Sequence, residues 1–379
     1  MMSLIEQEFD AYTIDCDKYI CSECVINNYL KKIVKDNLTD NACSYCLKKE
    51  SSEMKIVLEN ILQAILNYYG DAQDLNIPWV DGGWAFDEIE FQHIVYEFDP
   101  GWCDEIREDI EYHLEQDKYW VPHVNGYWGL SNPKQMMTYS WEKFVKTVKY
   151  KTRYFFDSEP IDKTNLGHPD YLPVSLVMSN LANVITKLKL IKEIDIGESF
   201  YRVQKSNKKD IFNYKRLSVA PKKFVKSGRM NPDGIPYLYL STELKTAQKE
   251  VLENNKTQHY ALKIKNRVPL LILDLSELPE IPSIFDHEKY DNLHELYFLK
   301  NFIAEISKPV NKKLGINYVP TQIISEYFNH RFKYNNNRIN GICFNSSKSE
   351  GKNHALFFST HERVKEIFKE ISISEIYGY

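Results

Sequence analysis

Apolar residues recur at helical spacing over much of the first half of the chain. Met54, Val57, Leu58, Ile61, Leu62, Ile65 and Leu66 mark one face of an amphipathic helix between Ser51 and about Tyr69. Similar stripes predict helices over Cys103–Asp117, Ser140–Tyr150 and Val174–Ile194, the last carrying Leu176, Val177, Leu181, Val184, Ile185 and Leu188 on one side. Between them lies an aromatic-rich stretch (Trp79, Trp84, Phe86, Phe91, Tyr96, Phe98 and Trp102) that reads as core.

Beyond about Ile194 the period changes. In GRMNPDGIPYLYLSTELKTAQKEV, Asn231–Gly234 is a turn and Ile235–Ser241 an alternating strand with Tyr237 and Tyr239 on one face. Ser241 or Thr242 is placed to cap a helix running through Ala247 to about Glu253. Strands are expected over Tyr260–Lys265, Pro269–Leu275, Gly341–Ser346 and His354–Ser359. Helices are expected at Leu293–Ile306, from Pro320 through Tyr327, and from His361. Strands and helices without a βαβ rhythm indicate an α+β domain. The division expected is a cysteine module at 1–50, a mainly helical domain at 51–194 and an α+β domain at 195–379.

Composition narrows the classes. The 379 residues are 43% hydrophobic and 27% charged, which is ordinary for a protein able to bury a core. A net charge of −5 argues against a whole-protein polyanion binder, so nucleic acid is not the expected partner. The opening MMSLIEQEFDAY is mixed and acidic, and Val268–Leu273 is too short to span a bilayer. A cytoplasmic protein without membrane contact is the simplest expectation. No GxGxxG or P-loop pattern supports a Rossmann dehydrogenase or a P-loop NTPase.

Seven cysteines in such a chain suggest metal ligands or free thiols before disulfides. CSEC (Cys21, Cys24) and CSYC (Cys43, Cys46) are separated by 18 residues, a spacing that suits a structural zinc site. With four thiolates, no position remains for water or substrate; Cys16 is a spare thiol nearby. In REDIEYH, Arg107 and His113 have the Arg-x5-His spacing of the higher-eukaryote-and-prokaryote nucleotide-binding (HEPN) helical RNases. A solvated helix face explains the same pattern, and the pair defines the rival, RNA-cleaving or RNA-binding reading.

From Arg202 to Arg229 ten basic residues face one acid, Asp210. A diphosphate ligand needs only one or two of those cations, and the planar fork of arginine suits it better than lysine. Arg202 and Arg229 are the candidates.

Five ordered segments make the C-terminal part, roughly Phe200 to Ile371, resemble the RES domain family, named after its Arg, Glu and Ser. They are FYRVQ (Arg202), GRMNPDGIPYLYLS (Arg229, Tyr239), TAQKEV (Glu250), VPTQIISEYF, and GICFNSSKSEGKNHALFF (Ser346, Ser347). The cysteine pairs and helices ahead look like the HEPN/RES N-terminal domain found fused to RES domains. The resemblance implies an ADP-ribosyltransferase-like fold and a toxin that consumes NAD+ by hydrolysis or phosphorolysis of the nicotinamide–ribose bond. A close variant would transfer ADP-ribose to a macromolecule.

On that resemblance Arg202 and Arg229 neutralise the diphosphate and Tyr239 stacks on or orients the nicotinamide end. Glu250 stabilises the oxocarbenium-like ribose. Ser346, or its neighbour Ser347, hydrogen-bonds a ribose or phosphate oxygen. Many family members carry an aromatic after the first arginine, where this chain has Val203. Inorganic phosphate as co-substrate, an antitoxin partner, internal regulation by the N-terminal region and homo-oligomerisation are left open by the resemblance.

Overall fold

The structure is a computed structural model that describes residues 9, 12–75, 77–85, 88–122, 133–156, 173–205, 213–251, 258–307 and 315–377. Phe86, Lys208, Lys209, Asp210 and the expected helix end at Glu253 lie outside the described residues. Two compact units emerge. One comprises Met1–Met136, Asp162–Tyr171 and Glu280–Tyr297, the other Met137–Ile161, Leu172–Pro279 and Phe298–Tyr379.

The first unit holds helices α1 (Asn28–Asp36), α2 (Met54–Leu66), α3 (Phe91–Glu97) and α4 (Asp104–Leu114). Three short antiparallel ribbons accompany them: β1 (Tyr19–Cys21) with β2 (Ser51–Glu53), β3 (Tyr69–Asp71) with β6 (Trp120–Pro122), and β4 (Trp79–Val80) with β5 (Gly83–Trp84). Asn27 caps α1, its Oδ1 accepting from Tyr29 N and Leu30 N. The predicted stripe of α2 is fully buried, and Leu58, Ile61 and Ile65 share one core with Ile20, Val25, Leu30 and Val34. Residues 1–50 therefore have no separate core, and the expected boundary at 50 does not appear.

In the second unit the part of α5 (Pro133–Tyr150) from Met137 onward and α6 (Val174–Lys187) pack on a sheet. Phe144, Val177, Leu181 and Ile185 join Leu273, Ile342, Phe302 and Phe328 in one cluster. Each such side chain contributes about 1.5–3 kcal/mol by leaving water. By contacts, the unit that holds the sheet also includes these helices.

The sheet has eight strands among the described residues, in the order β14-β10-β8-β9-β13-β12-β11-β7. They are β7 (Ile191–Ile194), β8 (Ser199–Lys205), β9 (Leu238–Ser241), β10 (Gln258–Asn266), β11 (Leu270–Asp274), β12 (Gly341–Asn345), β13 (Lys352–Leu356) and β14 (Phe368–Tyr377). Pairings are antiparallel except β11–β12. The remaining helices are α7 (Tyr214–Leu217), α8 (Leu244–Val251), α9 (Tyr290–Ser307), α10 (Val319–His330) and α11 (His361–Ile367). The fold is α+β, as the mixed pattern implied. No described helix is long and apolar enough to cross a membrane.

Candidate active site

Register builds the floor of a cleft of about 320 Å³ in the second unit. Tyr201 of β8 pairs with Ser241 of β9, Ser241 with Asn353 of β13, and Asn353 with Phe344 of β12. Cross-strand partners share a face, and all four residues line the cleft. Its volume lies near the lower end of the range for small-molecule sites, about 300–1,000 Å³.

Arg202 lies where the sheet opens. The strands β8 and β9 pair only at Tyr201–Ser241, and the guanidinium bridges them by donating from Nη1 to the Tyr239 carbonyl at 2.9 Å. With its amide oxygen turned toward the arginine, Gln204 accepts from Nε and Nη2 at 3.2 Å each. Burial pushes the guanidinium down to about 10, so it stays cationic at neutral pH. The side chain is held on two sides and its head still lines the cleft.

Arg229 is presented by a loop built on neutral polar groups. The buried Asn231 donates from Nδ2 to the carbonyls of Lys226 (3.2 Å), Pro232 (3.1 Å) and Ile235 (3.1 Å). Gln322 of α10 donates to Gly228 O (2.8 Å), Asn231 O (3.0 Å) and Ser227 Oγ (2.8 Å). Thr321 Oγ1 donates to the Arg229 carbonyl itself. A Cβ at Gly228 would sit 2.5 Å from Asn231 Oδ1, so the loop closes this tightly only with glycine there. Burial lowers the Arg229 pKa, opposed by Tyr318, Glu250 and Tyr239. Glu250 is thus within electrostatic reach.

Tyr239 is anchored through its hydroxyl. Its hydroxyl donates to Asn231 Oδ1 at 2.8 Å and accepts from Met230 N at 3.1 Å, tying β9 to the arginine loop. The ring lines the cleft. Tyr237 precedes the strand and packs against Phe357 at 5.0 Å, away from the cleft lining. It does not substitute for Tyr239.

Glu250 comes from α8. Ala247, one turn earlier on the same helix face, packs against Val203 and Ala261. The small side chain brings α8 close to β8 and aims Glu250 into the cleft. Its Oε1 accepts from Ser346 Oγ at 2.6 Å and from Asn353 Nδ2 at 2.8 Å. The loop joining β12 to β13 is docked on α8 by Lys348 Nζ to Glu250 O (2.9 Å) and Ser349 Oγ to Thr246 Oγ1 (3.0 Å). A Cβ on Gly351 would meet Thr246 Oγ1 at 2.0 Å, so this docking also requires a glycine.

The two serines separate. β12 ends at Asn345, one residue short of the expected strand end at Ser346, so Ser346 and Ser347 are not strand residues. Ser346 turns to Glu250, whereas Ser347 lines the cleft. Arg202, Arg229, Tyr239 and Glu250 all line it as well. Val203 is a buried aliphatic residue of the cleft lining, and the aromatic at this point is Tyr201, on the other side of Arg202 in the chain. Sequence reasoning passed over Tyr201, Ser241 and Asn353; the only signal was their place inside the quoted motifs.

In the first unit the four cysteines Cys21, Cys24, Cys43 and Cys46 converge, their sulfurs all within 4.8 Å of one another. Cys21 and Cys46 are 3.4 Å apart and Cys24 and Cys43 3.8 Å. A tetrahedral ion with Zn–S of about 2.3 Å needs sulfurs about 3.8 Å apart, so the donor set fits. Cys21 N also donates to Cys43 Sγ at 3.3 Å, and Leu47, with φ of 62°, turns the chain after the second pair.

Arg107 is already engaged. Nε and Nη2 donate to Asp99 Oδ2 at 2.9 and 2.8 Å, and Nη1 donates to Asp104 Oδ1 at 2.7 Å. The guanidinium also lies 4.9 Å from the Tyr96 ring, while His113 packs edge-on against Tyr112. Six residues apart on α4, the two side chains point about 120° from each other.

Comparison with known proteins agrees with the motifs. Residues 199–376 match the family model of the RES domain, and residues 36–162 match HEPN/RES N-terminal domain 1. The chain is therefore a RES-domain protein with a HEPN/RES N-terminal domain ahead of it; Cys21 and Cys24 precede the matched residues. Among solved structures, the M. tuberculosis MbcT–MbcA toxin–antitoxin complex is similar at 13% identity, covering 52% of this chain and 92% of that chain. Its TM-score of 0.29 carries no argument. No curated protein matches the chain.

Proposed function

We propose that the cleft binds NAD+ and cleaves its nicotinamide–ribose bond. The observation that supports this most is the opening of two guanidinium groups and one carboxylate onto a single cleft, from residues 202, 229 and 250. Arg202 and Arg229 neutralise the diphosphate by charge-assisted hydrogen bonds. Glu250 faces the positive charge that develops on the ribose as the C1′–N bond breaks and its electron pair leaves with neutral nicotinamide. Water, or inorganic phosphate, then donates an oxygen lone pair to C1′, and water loses its proton to solvent.

Ser346 holds Glu250 in place, and Ser347 offers a hydroxyl to a ribose or phosphate oxygen. Tyr239 positions the Arg229 loop, and Tyr201 supplies an aromatic edge of the cleft. Incubation of the purified chain with NAD+, with and without phosphate, should release nicotinamide in at least one condition. Inert, well-folded protein in both would overturn the proposal. Label transferred to protein or nucleic acid would redirect it to ADP-ribosyl transfer.

The four-cysteine cluster would hold zinc as a structural ion, tying the start of the chain to α2. RES-domain kinship supports a toxin role for the activity and an antitoxin as its partner. The RNA-cleaving reading of Arg107 and His113 loses support because Asp99 and Asp104 neutralise the arginine.

A further inference from the structure

We propose that Ser241 and Asn353 form a hydrogen-bond relay whose function is to position Glu250, so that one carboxylate oxygen is tied and the other is presented to the substrate. This rests on the reading of Glu250 as the carboxylate beside the ribose.

The donor–acceptor logic leaves one arrangement. Glu250 as a carboxylate only accepts, so the Asn353 amide must turn its Nδ2 toward it, as the 2.8 Å contact to Oε1 requires. The amide oxygen then faces Ser241, and the Ser241 hydroxyl must donate its proton there, at 2.6 Å. A serine hydroxyl has one proton, so that of Ser241 is committed to Asn353. Both residues are buried, at 4% and 7% exposure, and they are direct cross-strand partners. The register of β9 against β13 therefore sets the rotation of an amide, and that amide sets the rotation of a carboxylate on another element.

Ser346 closes the arrangement from the other side by donating to the same oxygen at 2.6 Å. Among the described residues both hydrogen bonds of the carboxylate fall on Oε1. Two donors converging on one oxygen resist rotation about the terminal torsion, which is otherwise broad. Reacting groups held this way gain rate through orientation, and the gain appears in turnover more than in binding.

The test is a double-mutant cycle on NAD+ cleavage with the full chain. Asn353→Ala should lower kcat by about 10–100-fold while KM stays within about twofold. Ser241→Ala should lower kcat by about 3–10-fold, because Asn353 is then free to flip. The double variant should be no slower than Asn353→Ala alone within about twofold, as a shared path predicts. Multiplying losses, or unchanged kcat in Asn353→Ala when Glu250→Gln is inactive, would overturn the relay.

Wild-type protein that releases no nicotinamide would sink the proposed activity, and the relay would then be read by NMR. The Asn353 side-chain amide resonances should shift in both Glu250→Gln and Ser241→Ala. Resonances indifferent to both changes would overturn it independently of any turnover.

Discussion

Ser346 Oγ donates to Glu250 Oε1 across 2.6 Å, joining the loop after β12 to the last turn of α8. Ser346 therefore acts on Glu250, and Ser347 is left facing the cleft. Glu250→Gln should abolish nicotinamide release, with a loss of at least about 100-fold, and leave the melting temperature within a few degrees. Ser346→Ala should lower kcat about tenfold with KM little changed, and Ser347→Ala should raise KM instead. Steady-state kinetics separates the two serines. A KM effect at Ser346 with none at Ser347 would reverse their assignment.

Arg229 depends on Tyr239 through Asn231. Tyr239→Phe removes the donor to Asn231 Oδ1 and the acceptor of Met230 N. Leaving those groups unsatisfied should cost about 1–3 kcal/mol of stability. It should also raise KM for NAD+ with a smaller effect on kcat, since the loop that carries the cation loosens. Arg229→Ala should raise KM by about tenfold or more and weaken the dependence of KM on salt. Urea unfolding and kinetics at two ionic strengths check both. Full stability and normal KM in Tyr239→Phe would show that the loop stands without this bond.

Two arginines in a basic run and the paired cysteines were legible from their chemistry, whereas Glu250 was legible only through the resemblance carried by TAQKEV. Ser241, Asn353, Asn231 and Gln322 were not, because a neutral polar side chain acquires its role from register and loop closure. Only the order β8-β9-β13-β12 brings Tyr201, Ser241, Asn353 and Phe344 into one row. The helix expected to reach Ile194 stops at Lys187 for a related reason. Lys189 adopts φ of 54° and Leu190 N bonds back to Ile185 O at 3.0 Å, ending the helix without the usual glycine. Leu190, Ile191 and Ile194 keep helical spacing and masked that break. The strand Phe368–Tyr377 was hidden behind α11, and the helix at Asn28–Asp36 behind a polar, lysine-rich pattern.

His354 of β13 is buried, stands opposite Cys343 and packs edge-on against Phe200 at 5.3 Å. Burial pushes its pKa down to about 4; Asp274 opposes that shift and Lys352 adds to it. The folded state thus keeps the imidazole neutral, whereas the unfolded chain takes up a proton below about pH 6.5. Stability from this group is complete above that pH, falls as pH drops from about 6.5 to about 4, and levels off below. The integrated loss is about 3 kcal/mol. Urea titrations between pH 7 and 4 should show this decline, and His354→Leu should flatten it. An unchanged pH slope in His354→Leu would assign the decline to other groups.

The cysteine cluster makes a prediction that needs no substrate. Freshly purified protein should contain about one zinc per chain, because four thiolates at tetrahedral spacing bind it strongly. Cys43 and Cys21 are buried, and the chain around them is closed by Cys43 N to Lys48 O at 2.7 Å and Cys24 N to Cys21 O at 3.1 Å. Loss of the ion leaves four thiols in contact and no covalent tie between the two turns. Chelator, or Cys43→Ser, should therefore lower the melting temperature and raise protease cleavage between about residues 15 and 50. Cys343→Ser, whose thiol lies in the other unit, should leave the zinc content unchanged. Metal-free wild-type protein that melts at the same temperature as Cys43→Ser would reduce the cluster to four packed thiols.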